Sequence, residues 1–195
     1  MSDTAACKII ASYCQSHQLI LSFMQKLSDG QLRWRPPAGI HSIAFHGWHI
    51  ARWADHLQAA IPGMSPELGQ RLPPGVQLWQ TDELAVHWQF ASARYGYADT
   101  GMGMPDEIAM SQPFPDKVEL MNYVERVFTL AELAVNAIDD QQFQSDERPQ
   151  PFTEGIWGGG TVGDAILTHL THDNRHLGMM ECLLGLQGKP GTASQ

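Results

Sequence analysis

Residues 161–187 read TVGDAILTHLTHDNRHLGMMECLLGLQ. At about 100° per residue, Val162, Ile166, Leu170, Leu177, Met180 and Leu184 gather on one arc. Thr168, Thr171, Asn174, Arg175 and Gly178 fall on the far side. This is an amphipathic helix, opened by Thr161 with Asp164 three residues on, and ending around Leu186 to Gly188. His169, His172 and His176 run along the edge of the apolar arc, and Asp173 lies inside it. The segment therefore predicts a buried helix that carries imidazoles toward an interior.

Working outward, the rest of the chain has the same helical period. Ile9, Tyr13, Leu19, Ile20, Phe23, Met24 and Leu27 define a first helix over 4–27, stopped by Ser28-Asp29-Gly30. The tandem prolines Pro36 and Pro37 exclude a helix interior in the connection that follows. Trp34 and Pro36 read as packing anchors there. Ser42 is a candidate N-cap for a second helix over 42–61, ended before Pro62-Gly63. A shorter helix is predicted over 81–95, with Asp82 and Glu83 in its first turn, where the helix dipole favours acids. Residues 116–138 open on Asp116 and Glu119 at capping-box spacing and continue through Met121, Val124, Phe128, Ala131 and Val135.

The segments 62–80, 96–115 and 139–160 read as long connections. Asp139-Asp140 reads as a solvated helix end, and Trp157-Gly158-Gly159-Gly160 as a flexible entry to the last helix. That run lacks the Lys-Ser/Thr of a phosphate-binding loop. β-branched alternation is nearly absent. The expectation is one all-α domain over 1–195: a four-helix bundle with an extra short helix and long connecting loops.

Composition narrows the function. The chain has 195 residues with 12 Lys+Arg against 21 Asp+Glu, a net charge of −9. No basic tract is available to neutralise phosphates, which argues against nucleic acid and anionic membrane surfaces. No apolar run reaches the length of a membrane span, and Met1–Ile20 lacks the pattern of a signal peptide. Cys7, Cys14 and Cys182 are too few and too scattered for a disulfide framework or a metal knuckle. They read as packing residues in a reduced, cytoplasmic protein.

The nine histidines carry the chemical information. On the second helix His46 falls inside the apolar stripe of Ile43, Ile50, Trp53 and Leu57, flanked by His49 and His56. Two helices thus direct imidazoles at a common interior. His172 and His176, four apart, project one turn apart from one face and can reach a single ion. A third ligand from the facing helix would complete a catalytic arrangement with one open position. A lone inward histidine, by contrast, is usually a hydrogen-bonded core residue. Asp173, a carboxylate within an apolar arc, needs a partner. It either orients a liganding imidazole or makes a cross-helix hydrogen bond or ion pair. His17, His41 and His87 lack such company and read as surface or loop residues.

Leu32-x-Trp34-Arg35-Pro36, then Ser42-Ile43 with His49-Ile50-Ala51, and finally His172-x-x-x-His176-Leu177-Gly178 together resemble the DinB/YfiT-like superfamily. The resemblance spans roughly residues 4–187 and implies a four-helix bundle of that type. It implies a metal bound by one histidine of the second helix and the H-x-x-x-H pair of the last: His49, His172 and His176. His46, His56, His169 and Asp173 stand as alternative ligands or supporting residues, with His46 the first substitute for His49. The implied cofactor is a divalent transition metal, zinc, nickel or iron. The activity first implied is transfer or activation of a low-molecular-weight thiol onto a small electrophile. A metal-dependent hydrolase and a non-catalytic metal- or ligand-binding bundle are the alternatives. A small-molecule substrate and a homodimer are the expected partners.

Overall fold

A computed structural model describes residues 4–37, 39–90, 95–146 and 160–191. Its helices are α1 (Ala5–Gln25), α2 (Asp29–Arg33), α3 (Ile43–Ala60), α4 (Pro66–Arg71), α5 (Leu78–Thr81), α6 (Leu84–His87), α7 (Asp106–Ser111), α8 (Lys117–Asn136), α9 (Asp140–Phe143) and α10 (Val162–Leu186). Among the described residues there is no named strand, and the single β-bridge joins Tyr97 to Met102. The fold is the all-α bundle.

Local chemistry starts each long helix. The side chains of Thr4, Ser42, Asp116 and Thr161 accept from the backbone N–H of Cys7, Phe45, Glu119 and Asp164. Each satisfies a donor that a helix start otherwise leaves open. At Thr161 the bond is reciprocal, because Asp164 accepts from the Thr161 N–H. Asp139 also caps: it starts α9 with a capping box to Gln142, so it is more than a solvated helix end.

The four long helices form a ring. α1 packs on α8 and α10, and α3 packs on α8 and α10. Its core includes Tyr13, Ile20, Phe23, Ile50, Trp53, Val124, Phe128 and Ile166, all but excluded from solvent. Trp34 is half-buried against this core, in its expected anchoring place. Because α3 and α10 are neighbours in the ring, their inward histidines face each other.

The helix expected over 81–95 is not continuous. The chain makes two single turns, α5 and α6, broken by Glu83 in the left-handed region (φ 50°). Packing explains the break. The rings of Trp79 and Phe90 lie 5.5 Å apart and both contact Trp48 and Trp88. Eleven residues of straight helix would separate them by about 16 Å. Folding the segment back lets every large ring enter one aromatic layer.

The expected loops also hold short helices, α4 in 62–80 and α7 in 96–115. The Trp157-Gly158-Gly159 entry lies outside the described residues, as do residues 91–94. Cys7 and Cys182 are exposed and Cys14 is half-buried, so the first two are not packing residues.

Candidate metal centre

His49 comes from the middle of α3, and His172 and His176 from successive turns of α10. One ring nitrogen from each lies within 4.8 Å of the others, the one such group of three among the described residues. His49 Nε2 and His172 Nε2 are 3.0 Å apart. Tetrahedral zinc with Zn–N bonds of about 2.05 Å places its ligand nitrogens about 3.3 Å apart, so the spacing suits one small cation. His49 and His172 are buried, and His176 is half-buried at the more open edge.

The second nitrogen of each ring has its own partner. His49 Nδ1 donates to the Thr100 carbonyl at 2.5 Å. His172 Nδ1 is 3.3 Å from Asp173 Oδ1. His176 Nδ1 is 2.9 Å from His46 Nδ1. Such partners select the tautomer that leaves Nε2 with a free lone pair. Burial is the first cause that lowers the pKa of His49, to about 3, and of His176, to about 2. The neighbouring imidazoles act in the same direction. His46 is lowered to about 4, again chiefly by burial. His46, His49 and His176 are therefore neutral at neutral pH, the form that binds a metal.

Thr100 is held in place by a clamp. The side chains of His56, Arg52 and His49, spaced one turn apart on α3, bond to the consecutive carbonyls of Ala98, Asp99 and Thr100. Ala98 (φ 51°) and Asp99 (φ 55°) sit in the left-handed region, and Gly101 follows at φ 90°. Each non-glycine residue there costs on the order of 1 kcal/mol, and the three hydrogen bonds offset it. A Cβ at Gly101 would come within 2.7 Å of the Trp48 ring. Only glycine both turns there and lets the loop lie against α3.

Arg52 also anchors a buried polar network. It is fully buried, 3.0 Å from Asp55 Oδ2, and it donates to Gln77 Oε1 at 2.8 Å. Asp55 accepts further bonds from the backbone of Leu78 and Trp79 and from the Tyr123 hydroxyl. The loop over the centre is thereby tied to the rigid interior of the bundle.

The structure thus brings His49, His172 and His176 together and sets His46 against His176. His56 does not join them: its Nε2 is on the Ala98 carbonyl and its Nδ1 accepts from Gln77. His169 lies deeper, edge-on to Tyr13 and Trp53. Asp173, almost fully buried, has His172 as a partner on one oxygen and His17 on the other. His17 was expected at the surface, but it is fully buried and stacked on Phe128. Its position on the inward stripe of α1, four residues after Tyr13, was the signal. His41 is half-buried against Phe45, and His87 is exposed. Arg52, one turn after His49, carries no sequence pattern that marks it.

A helical bundle with a buried three-histidine cluster between two adjacent helices belongs to the class of proteins able to hold a metal ion in the bundle core. A family model for the DinB superfamily matches residues 13–180. The chain belongs to the DinB superfamily. No curated protein matches it. No helix among the described residues is long and apolar enough to cross a membrane.

Proposed function

We propose that His49, His172 and His176 hold a divalent transition metal through Nε2, and that this centre serves an enzyme acting on small molecules. The observation that carries the reading is the complete set of partners on the non-ligating nitrogens, from Thr100, Asp173 and His46. Core histidines that only filled space would not need three converging rings aimed this way. Zinc, nickel and iron all accept neutral imidazole.

The substrate proposed is a low-molecular-weight thiol, passed to a small electrophile. A metal with three neutral ligands keeps its full positive charge, and when bound it lowers the pKa of a thiol in the remaining position. The chain's own residues do the rest. The Thr100 carbonyl and Asp173 keep His49 and His172 on axis, while Phe45, stacked 6.0 Å from His49, restricts water on that side. His176 forms the open edge from which a substrate approaches.

The test is direct. Metal content of the purified protein is measured before and after chelation, followed by thiol consumption with a generic electrophile. The metal-loaded protein consumes thiol, and His176→Ala abolishes this. Equal turnover by metal-free protein refutes the proposal. Turnover of ester or amide probes without thiol assigns hydrolysis instead. Metal-dependent stabilisation with no turnover in either assay assigns a non-catalytic binder.

A further inference from the structure

We propose that His17, on the one long helix next to α10 that supplies no member of the cluster, positions the imidazole of His172 by acting through Asp173. The inference rests on the three-histidine centre proposed above. A continuous line of side chains supports it. Glu132 Oε1 on α8 is 3.2 Å from His17 Nδ1 on α1. His17 Nε2 is 3.5 Å from Asp173 Oδ2 on α10. Asp173 Oδ1 is 3.3 Å from His172 Nδ1, whose Nε2 faces His49.

Burial decides how much this line matters. His17 is 0% exposed and Asp173 1% exposed, whereas the Glu132 side chain is 27% exposed. The His17 ring lies parallel to Phe128, with centroids 3.7 Å apart, so stacking fixes its plane. Both of its nitrogens face carboxylates, and a ring so placed carries both protons. Burial opposes that charge, but the carboxylates of Asp173 and Glu132 on either side outweigh it and raise the His17 pKa.

Without His17, Asp173 would keep a buried negative charge with the His172 ring as its remaining partner. Isolated buried charges cost several kcal/mol. The carboxyl would respond by turning away, which removes the acceptor that holds His172 Nδ1–H. With His17 in place the carboxylate is balanced on one oxygen and free to accept on the other. α1 is thereby linked to a centre to which it supplies no ligand.

Cobalt binding to the full-length protein tests this, by chelator competition and by the visible absorption of the loaded centre. His17→Gln is expected to weaken cobalt about 10–100-fold and to shift the absorption bands, as loss of a ligand's supporting partner does. Asp173→Asn should weaken it similarly. The double variant should be no weaker than the weaker single one, because both changes break the same line. Tyr13→Phe serves as a control: it removes a buried hydroxyl one turn earlier that has no hydrogen-bond partner among the described residues. It should stay within about twofold of the parent.

If His17→Gln does not fold, Glu132→Gln at the accessible end replaces it. It should lose about threefold in the same direction, and nothing further in the Asp173→Asn background. Parent-like cobalt affinity in His17→Gln, or losses that multiply in the double variant, overturns the positioning role alone. Absence of cobalt uptake by the parent overturns the centre and the positioning role together.

Discussion

Acidifying the metal-free protein from pH 7.5 to 5.5 should destabilise it, because five buried or half-buried imidazoles have pKa values far below the ordinary 6.5. His46 and His56 lie near 4, His49 and His169 near 3, and His176 near 2, each lowered first by burial. Their neutral form is the folded form. Over this interval the unfolded chain takes up protons that the folded chain does not, so stability falls as the pH falls. Each ring contributes a loss of about 1.3 kcal/mol across the two pH units.

His17 has the opposite sign, since its folded pKa is raised. Its contribution is lost as pH rises through the folded value and regained on acidification, which offsets at most about one of the five rings. Asp29 and Asp173 are both lowered from 3.8, and their stabilisation is lost only at pH values below this window. The half-buried His56 and His176 contribute less than the fully buried rings. The net expectation is a loss of about 3–5 kcal/mol. With m of about 2–3 kcal/mol/M for a chain of this size, the urea midpoint falls by about 1–2 M. Urea titrations of chelator-treated protein at several pH values measure it. A midpoint that holds steady or rises on acidification refutes the assignment of these rings as buried and neutral.

Arg52→Ala leaves Asp55 without its cation in a dry interior and should cost about 3–5 kcal/mol, seen as a drop of roughly 10 °C in Tm. Gly101→Ala places a Cβ against Trp48 at a positive φ. It should cost about 2 kcal/mol by urea unfolding and weaken metal binding by displacing the neighbouring Thr100 carbonyl. Ser42→Ala removes only the α3 cap, worth about 1 kcal/mol, and should leave metal stoichiometry unchanged. Zinc at a hundred times its Kd should stabilise the parent by about 2.7 kcal/mol, and by much less in His176→Ala, as read by thermal melts with and without metal.

Helix period and caps made the bundle legible from the residues alone. The spacing of His172 and His176 and the inward phase of His49 are properties of single helices, so they could be read before any coordinates. Helix phase gives the direction of a side chain but not what lies opposite. Which ring of α3 meets α10 depends on the axial offset between two helices, and a shift of one turn would have exchanged His49 for His46. The clamp of Ala98, Asp99 and Thr100 carbonyls on α3 was also hidden, because backbone carbonyls carry no residue identity. His17 and Glu132 were hidden for a related reason: they are 115 positions apart and adjacent only because α1 packs between α8 and α10. The sequence by itself determined the four long helices and the chemistry each can present. Tertiary packing alone decided which groups share a few ångströms of dry interior, because contacts across the bundle depend on helix offset and loop path, which no local period encodes.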